Sequence, residues 1–511
     1  MLTFQKSFPE NAGIPSGCIM NFIQRLKDRE VPMHSFLLLR RDLLAAECYY
    51  SPCRADTLHR MFSISKSFTS IAVSLLADEG RLSLDDPIIR YFPDKLPKQV
   101  HPWIEAMTIR DMLMMRTCHA STTYKLDMTK DWVESFFTTP PTHPAGRIFH
   151  YDTSSAHTLC ALAERLSQKP MLSYLKEKLR ELDFSQESYM LTDPFGVSLG
   201  GSGLVATSMD LLKFGYLILR KGRINGRQLV SSSYLEDATA NLTATTVTAP
   251  IASEACGYGY QFWQNQKGGC VCYGMGGQLI ILLPEYDMIC VTTADTQCIS
   301  GGNQLIYDAL YEEILPFVSD GPVPVNTGTH SLWNSFVSQL RMEPLKGALS
   351  SPVMERTNGV RFHLEENPAG FSRLCIRFSS NYASKKQPAA HADRLCAVAS
   401  GPEPDTGTLA FTLKGKTYSF TFGLGRLTTG LFPLYDLNYD ASGVFLDPDT
   451  LYIYVHIIDS YVGSVKFQLS FGADDVAVFM KKQEESLFGE FNGHLYGMRQ
   501  ETPTEFSPDK T

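Results

Sequence analysis

The sequence predicts a mixed α/β (α+β) domain over residues 1–320, followed by an all-β domain over residues 325–511. Helix and strand patterns alternate in the first part, whereas short strands succeed one another in the second. A Pro- and Gly-rich stretch at residues 321–324 separates them and is typical of a domain linker. With 511 residues, the chain is long enough for each domain to bury a core of its own.

Hydrophobic patterning predicts the elements of the first domain in chain order. Apolar runs predict three buried strands, at residues 35–39, 278–283 and 288–293, with a turn at residues 284–287. Helical spacing predicts three helices, at residues 67–77, 210–219 and 305–314. Gly80 is expected to close the first of these helices, and Ser208 is expected to cap the second at its N-terminus.

The second domain begins with a short predicted helix at residues 332–340 and then consists of strands. Residues 465–471 alternate cleanly between apolar and polar side chains. Residues 409–413 and 418–422 are expected to pair as a hairpin across residues 414–416. This pattern predicts a small barrel or a sandwich.

Composition narrows the classes of partner and cofactor. Lys plus Arg is 46 and Asp plus Glu is 54, a net charge of −8 without a basic cluster, so no nucleic acid or membrane partner is expected. The first residues lack a signal-peptide pattern and no long apolar run occurs, so a cytoplasmic location is expected. The 12 cysteines are scattered and expected to be reduced, and neither metal nor cofactor is expected.

The strongest chemical signal is Ser63 followed three residues later by Lys66, within the stretch Met-Phe-Ser-Ile-Ser-Lys-Ser-Phe-Thr at residues 61–69. If a helix begins near Ser63, Lys66 lies one turn on and shares its face. The N-terminal end of a helix disfavours an ammonium and favours a developing anion, so Lys66 could relay the proton of Ser63. By itself the spacing is weakly specific, since a helix start with an exposed lysine gives the same pattern.

Further segments give the chain a resemblance to the class C β-lactamase superfamily of serine hydrolases, which includes penicillin-binding proteins, D-aminopeptidases, esterases and 6-aminohexanoate-dimer hydrolases. Residues 62–69 are similar to the nucleophile segment of that family. Residues 80–87, 107–113 and 200–210 are similar to segments that follow it in the family. The resemblance covers roughly residues 9–318. It implies a β-lactamase-like transpeptidase fold, with an antiparallel sheet backed by helices, a helical subdomain, and the site between them.

The same resemblance assigns the other site residues. The second motif, Tyr-x-Asn in the family, falls on Tyr151 and Thr153, so Tyr151 is expected to exchange a proton with Ser63. To act as a base, a phenol needs a depressed pKa, which a neighbouring Lys66 ammonium is expected to provide. Thr153 replaces the amide of the Asn and is a weaker candidate for substrate binding, because a hydroxyl does not offer separate donor and acceptor groups.

The third motif, Lys-Thr-Gly in β-lactamases, falls on Met275, Gly276 and Gly277. Met275 stands where the family has a cation, which in β-lactamases helps hold the substrate carboxylate. The two glycines suit a backbone that approaches a ligand closely. The backbone N–H of Gln278 is expected to be the second donor to an oxyanion.

The resulting prediction is a serine hydrolase that forms an acyl-enzyme on Ser63, with Lys66 and Tyr151 sharing the role of base. Its expected substrate is a small or peptide-like ester or amide, and efficient β-lactamase activity is not expected. Two alternatives remain open: a D-amino-acid peptidase or carboxypeptidase, and a catalytically weak binding protein on the same fold. Neither the oligomeric state nor the role of the second domain follows from the sequence.

Overall fold

The computed structural model describes residues 1–249, 251–325, 328–379, 406–484 and 487–500. The chain divides into two compact units, Met1–Arg341 and Met342–Thr511. This division lies later in the chain than the linker expected at residues 321–324. The helix Thr329–Ser338 belongs to the first unit, where it packs against the helix Ser16–Asp28 and His330 stacks on Phe8 with ring centroids 3.5 Å apart.

Helices and strands alternate along the first unit. Its helices are α1 (Ser16–Asp28), α2 (Ile64–Asp78), α3 (Pro102–Glu105), α4 (Ile109–Leu113), α5 (Trp132–Thr138), α6 (Thr153–Ser167), α7 (Met171–Lys178), α8 (Ser208–Leu219), α9 (Ser232–Ala238), α10 (Gln304–Ala309) and α11 (Thr329–Ser338). Its strands are β1 (Gln5–Lys6), β2 (Met33–Arg40), β3 (Leu43–Tyr49), β4 (His59–Arg60), β5 (Tyr189–Met190), β6 (Leu204–Ala206), β7 (Arg223–Ile224), β8 (Arg227–Gln228), β9 (Trp263–Gln264), β10 (Cys270–Gly274), β11 (Gln278–Leu283) and β12 (Met288–Ala294).

The main sheet of this unit has the strand order β1-β3-β2-β12-β11-β10-β9. Its pairs are antiparallel except for the short parallel pair of β1 with β3. Both faces are covered: Leu37 and Leu39 of β2 join the core beneath α2 and α8, while Phe36 packs on Phe22 of α1 at 4.7 Å between centroids. The apolar runs that predicted β2, β11 and β12 therefore belong to strands buried on both sides.

Helix α2 lies at the centre of the unit and carries the candidate nucleophile at its start. Phe68 of α2 stacks on Phe214 of α8 with centroids 3.8 Å apart, and α2 also packs against α6 and α7. The helix ends where Gly80 adopts a φ of 70°, as its position in the sequence predicted. Because α2 is surrounded on several sides, its first turn is held rigidly relative to the sheet.

One predicted cap is wrong. Ser208 was expected to cap α8, but it is the first helical residue, and the preceding Thr207 is the cap. The Thr207 hydroxyl accepts from the backbone N–H of Asp210 at 3.1 Å, and the Asp210 carboxylate accepts from the N–H of Thr207 at 3.2 Å. Two adjacent hydroxyl residues are both suitable caps, and the reciprocal bonds with Asp210 select Thr207.

The described residues of the second unit form an all-β barrel with one short α-helix, α12 (Val353–Thr357). Its strands are β13 (Arg361–Leu364), β14 (Phe371–Phe378), β15 (Thr406–Leu413), β16 (Lys416–Leu424), β17 (Thr428–Phe432), β18 (Leu437–Asp447), β19 (Thr450–Ile458), β20 (Val462–Phe471), β21 (Asp475–Gln483) and β22 (Gly493–Arg499). The order is β16-β15-β14-β13-β22-β21-β20-β19-β18-β17, and β16 also pairs with β18, which closes the sheet on itself.

The predicted hairpin and alternating strand are confirmed in this unit. Strands β15 and β16 pair in register, with Leu413 opposite Lys416 across a tight turn. In β20, Val465, Phe467 and Leu469 point into the apolar core of the barrel, and the side chains between them are more exposed. In the described part of the chain, no helix combines the length and the apolar character needed to cross a membrane.

Candidate active site

Ser63 follows a sharp turn between β4 and α2. Met61 donates its backbone N–H to the oxygen of Leu204 at 2.7 Å, which fixes the turn to β6. Phe62 then has a φ of 45°, in the left-handed region that bulky residues rarely occupy. This conformation places Ser63 at the N-cap of α2, where backbone N–H groups carry partial positive charge. The prediction that a helix starts here is confirmed.

Lys66 lies one helical turn beyond Ser63. Its Nζ donates to the Oγ of Ser63 at 2.9 Å and to the backbone oxygen of Gly201 at 2.7 Å. Lys66 is only 1% exposed, so these oxygens replace part of the water around its ammonium. The structure thus brings the predicted nucleophile and its predicted partner into direct contact.

Tyr151 completes this group from the other side. It lies just before α6, and its ring covers Lys66 with the Nζ 4.7 Å from the ring centroid. The Tyr151 hydroxyl also lies close enough to the Ser63 side chain for that serine to lower the pKa of the phenol. Tyr151, Lys66 and Ser63 are therefore mutual neighbours, as the resemblance implied.

The expected effect of Lys66 on the Tyr151 phenol is wrong. Burial raises the pKa of Tyr151 well above its usual value, and the neighbouring Ser63 side chain offsets only part of that rise. The prediction took into account only the charge of the Lys66 ammonium, which would lower the pKa of Tyr151. Removing the phenolate from water has a larger effect in the opposite direction. At neutral pH the Tyr151 side chain is a neutral proton donor.

The segment around Gly200 and Gly201 packs between α2 and α6. A Cβ on Gly200 would lie 2.2 Å from the Cβ of Cys160, and a Cβ on Gly201 would lie 2.5 Å from the Cγ2 of Thr153. Only glycine permits such a close approach of backbone to side chains. The Gly200 oxygen accepts a bond of 2.9 Å from Thr69, and the Gly201 oxygen accepts from Lys66.

Thr153 is the first residue of α6 and is two positions from Tyr151. Its backbone N–H donates to the Oγ1 of Thr122 at 3.1 Å, and its methyl group faces Gly201. The structure thus places Thr153 beside the Lys66–Gly201 contact. Its role in binding substrate stays a prediction.

Met275, Gly276 and Gly277 form the turn between β10 and β11, at the edge of the same site. Gly276 and Gly277 have φ values of 80° and 92°, which favour glycine at both positions. The turn is anchored by the hydroxyl of Thr292, which donates to the Gly277 oxygen at 2.8 Å. A Cβ on Gly274 would lie 2.4 Å from the oxygen of Met61, so the hairpin lies directly beside the turn that carries Ser63.

Gln278 begins β11 and pairs with Gly274 of β10. Its side chain is buried and turned inward, with its Nε2 donating to the oxygens of Met275 at 3.0 Å and Ala294 at 2.8 Å. The side chain therefore holds the turn, and only the backbone N–H of Gln278 is a candidate oxyanion donor. Met275 is partly exposed and contributes no charge to the hairpin.

The structure adds residues that the sequence argument missed, a wall of aromatic rings next to Tyr151. The Trp263 ring lies 5.3 Å from that of Tyr151 between centroids, and Tyr258 and Tyr273 lie 5.0 and 6.2 Å from Trp263. These residues are dispersed over separate strands and loops, so no local spacing in the sequence links them. Only the tertiary fold brings them to Tyr151.

A buried carboxyl, Glu254, accompanies this wall. It is 1% exposed, and its Oε1 has no hydrogen-bond partner. Burial raises the pKa of Glu254 to about 8. Its charge also raises the pKa of Tyr151 and that of Tyr273, which places the carboxyl within electrostatic reach of both hydroxyls.

Among the residues that the structure describes, no group of three or more His, Cys, Asp or Glu side chains is arranged to hold a metal ion. The polar groups next to Ser63 are instead a lysine, a phenol and backbone groups. That set is suited to proton transfer and to hydrogen bonding of an anionic oxygen.

Comparison with known proteins gives one family match. The family model described as Beta-lactamase matches residues 21–297. This range contains the turn before α2, Tyr151, the Gly200–Gly201 segment and the β10–β11 hairpin.

Similar proteins include two hydrolases and a solved structure. The 6-aminohexanoate-dimer hydrolase of Paenarthrobacter ureafaciens is 26% identical over 290 residues, which are 52% of this chain and 73% of that protein. Esterase EstB of Burkholderia gladioli is 33% identical over 100 residues, which are 18% of this chain and 26% of that protein. The octameric penicillin-binding protein homologue from Pyrococcus abyssi is 16% identical, with 94% of this chain and 99% of that chain covered and a TM-score of 0.46.

Proposed function

This chain belongs to the beta-lactamase family, and we propose that it cleaves an ester or amide through an acyl-enzyme formed on Ser63. As a member of this family it is a serine hydrolase with a β-lactamase-like fold in its first unit. The strand pairing of the second unit shows an all-β barrel. The observation that carries the proposed mechanism is the 2.9 Å contact between the Lys66 Nζ and the Ser63 Oγ. A lysine held so close to a serine is a proton acceptor when neutral and stabilises the alkoxide when charged.

The roles of Lys66 and Tyr151 follow from their surroundings. Because the phenol of Tyr151 stays protonated, it can give a proton to the leaving group but cannot start as the base. Lys66 in its neutral form is then the acceptor of the Ser63 proton during attack. Tyr151 then recovers the proton from the charged Lys66, whose Nζ lies 4.7 Å from the centroid of the Tyr151 ring. The proton is thus relayed from nucleophile to leaving group.

The oxyanion of the tetrahedral intermediate needs two preorganised donors. The backbone N–H of Ser63 is supplied by the start of α2, and the backbone N–H of Gln278 by the start of β11. Support for this pairing comes from the close approach of Gly274 to Met61, which sets the two backbone segments side by side. Water then attacks the acyl-enzyme by the reverse proton path, with Ser63 as the leaving group.

The absence of a cation at Met275 argues against β-lactams as good substrates. Their carboxylate is stabilised by a charge-assisted hydrogen bond to a lysine in enzymes that use the third motif. With Met275 at this position, we expect turnover of a cephalosporin to be about 10- to 10²-fold less efficient than that of the best ester, since such bonds contribute about 1.5–3 kcal/mol each.

A substrate panel tests the proposal. Wild type and Ser63→Ala are assayed with p-nitrophenyl esters of increasing acyl length, D- and L-aminoacyl p-nitroanilides, and nitrocefin. Hydrolysis of at least one ester or anilide by wild type and not by Ser63→Ala supports the proposal. Selective cleavage of D-aminoacyl anilides would identify the peptidase alternative. No turnover of any compound by the folded protein would contradict the proposal and favour a binding protein.

A further inference from the structure

His157 of α6 and Asp193, in the loop after β5, form a buried pair that the proposed mechanism does not use. The Nε2 of His157 lies 3.0 Å from the Oδ2 of Asp193, and the two side chains are 1% and 0% exposed. Burial alone would raise the pKa of Asp193, but hydrogen bonds with His157 and with backbone N–H groups hold that pKa below its usual value. The carboxyl is therefore ionised and accepts a charge-assisted hydrogen bond from Nε2.

The Asp193 carboxylate also shapes the loop in which it lies. Its Oδ1 accepts from the backbone N–H groups of Phe195 at 2.8 Å and Val197 at 2.9 Å. The backbone N–H of Asp193 donates to the Val197 oxygen at 2.8 Å, and that of Leu199 donates to the Leu191 oxygen at 2.8 Å. The place of this carboxylate thus sets the path of the chain that leads into the glycine segment.

One face of α6 lies along this part of the chain. Four side chains on that face, at spacings of four, three and four residues, contact residues 193–201, namely those of Thr153, His157, Cys160 and Glu164. Glu164 accepts from the backbone N–H of Ser198 at 3.4 Å, which is longer than the bond between His157 and Asp193. The His157–Asp193 pair is therefore the stronger of these two polar contacts between α6 and the segment.

The His157 ring is itself held in place by aromatic neighbours. The rings of Tyr124 and Trp132 meet it edge-on, with centroids 5.9 and 5.6 Å away. These two rings stack on each other at 4.1 Å. The imidazole is thus packed in one orientation, with its Nε2 directed at Asp193.

The other side of the glycine segment contacts α2. Lys66 donates to the Gly201 oxygen at 2.7 Å, and Thr69 donates to the Gly200 oxygen at 2.9 Å. The segment therefore lies between two helices: α6 and Asp193 set its position, and α2 donates hydrogen bonds to its oxygens. A shift of the segment away from α2 would move the acceptor that directs Lys66.

We propose that His157 and Asp193 are positioning residues, which hold the Gly201 oxygen where it directs Lys66 toward Ser63. This inference deepens the proposed function and depends on it, because the role of the pair is to keep the lysine in place for attack by Ser63. A misplacement of about 1 Å at a reacting group can cost about 10²-fold in rate. Loss of the pair is therefore expected to slow acylation without any contact between these residues and the substrate.

Two changes at this pair separate its hydrogen bond from the bulk of the ring. In His157→Gln, the amide N–H is as many bonds from Cα as Nε2 is in histidine, so it can still donate to Asp193. The double variant His157→Leu with Asp193→Asn removes the contact without leaving a charge buried alone. Its introduced amide oxygen can still accept from the loop N–H groups. The measured quantity is the rate constant for labelling of Ser63 by a fluorophosphonate probe.

We expect this rate to fall at least tenfold in the double variant and at most threefold in His157→Gln. Leu162→Ala is the control, because Leu162 is a buried core residue of α6, half a turn away from the face that contacts residues 193–201. This control is expected to lower Tm and to keep the labelling rate within threefold of wild type. An unchanged rate in the double variant, or an equal loss in Leu162→Ala, would overturn the positioning role.

If the double variant does not fold, His157→Asn takes its place, because its amide is one bond too short to reach Asp193. The expected result is again a loss of at least tenfold, and a rate equal to that of His157→Gln would contradict the inference.

Coupling to Lys66 tests whether the pair acts through the lysine. In a Lys66→Met background, the same disruption is expected to change the remaining labelling rate by less than twofold, since no ammonium is left to position. Equal fold-losses with and without Lys66 would mean that the pair acts independently of it, which would overturn the inference.

These results are distinguishable from failure of the proposed function. If folded wild type is labelled on Ser63 and the disrupted variant is labelled equally fast, only the positioning role fails. If folded wild type is not labelled and the substrate panel is also negative, the proposed function fails and the positioning role fails with it.

Discussion

The backbone oxygen of Gly201 accepts a hydrogen bond of 2.7 Å from the Nζ of Lys66, which fixes the direction of that side chain toward Ser63. Gly201 lies between α2 and α6, where a Cβ would lie 2.5 Å from the Cγ2 of Thr153 and 3.0 Å from its backbone oxygen. The position of the lysine thus depends on a glycine 135 residues away in the chain.

Gly201→Ala is expected to displace this segment, because the backbone oxygen of Thr153 cannot move aside easily. We expect a loss of stability of about 1–3 kcal/mol from overpacking and a fall in kcat/KM of at least tenfold. Gly17→Ala is the control, since Gly17 lies in α1 with nothing within 4 Å of an added Cβ. That variant is expected to keep its activity and to gain slightly in stability. Thermal unfolding and ester hydrolysis of both variants check this, and an unchanged Gly201→Ala protein would contradict it.

Lys66→Met is expected to separate activity from stability. Methionine matches the length of the buried stem but removes the charge, so kcat should fall by about 10²–10⁴-fold. Replacing a buried charge by a well-packed apolar side chain is often neutral or stabilising, so Tm should stay the same or rise. The measurement is kcat alongside Tm. A strongly destabilised variant would mean that Lys66 has a structural role.

Tyr151→Phe is expected to affect amides more than activated esters. An anilide needs a proton on its leaving nitrogen, whereas p-nitrophenolate leaves without one. We therefore expect the loss of kcat to be at least tenfold larger for a p-nitroanilide than for the corresponding p-nitrophenyl ester. Tyr216→Phe, on α8, is the control phenol and should leave both rates intact. Equal losses on the two leaving groups would exclude Tyr151 as the proton donor.

Glu254→Gln is expected to change how stability depends on pH. Burial raises the pKa of Glu254 from 4.5 to about 8, so between these values the folded protein keeps a proton that the unfolded chain has released. The contribution of Glu254 to the free energy of unfolding is therefore fully present below about pH 4.5. It is lost as the pH rises through about 8. Release of this one proton changes the free energy of unfolding by at most about 1.4 kcal/mol per pH unit.

Glutamine cannot ionise, so the Tm of Glu254→Gln should rise relative to wild type between pH 6 and pH 9. Thermal unfolding of both proteins at pH 6, 7.5 and 9 measures this difference, with Glu285→Gln as the exposed control. A Tm difference that does not vary with pH would mean that Glu254 is already ionised at pH 6 in the folded protein.

The elements that could be predicted from the sequence are those determined by local patterning. Strands β11 and β12, the closure of α2 at Gly80 and the β15–β16 hairpin all follow from periodicity and turn residues that lie close together in the chain. The proximity of Ser63 and Lys66 could also be predicted, because side chains three residues apart on a helix lie on the same face.

Features that depend on distant contacts could not be predicted in this way. The sign of the Tyr151 pKa shift depends on how deeply the fold buries the phenol. The choice of Thr207 over Ser208 as a cap depends on the side chain of Asp210. Glu254 affects the pKa of Tyr151 although the two residues lie in distant parts of the chain, so nothing in its local sequence links it to the site.

The most direct test of an activated Ser63 is the intact mass of the protein after incubation with a fluorophosphonate probe. Folded wild type is predicted to gain the mass of one adduct, and Ser63→Ala, folded to the same extent, is predicted to gain none. No adduct on folded wild type, or equal labelling of the Ser63→Ala variant, would contradict the assignment of Ser63 as the nucleophile.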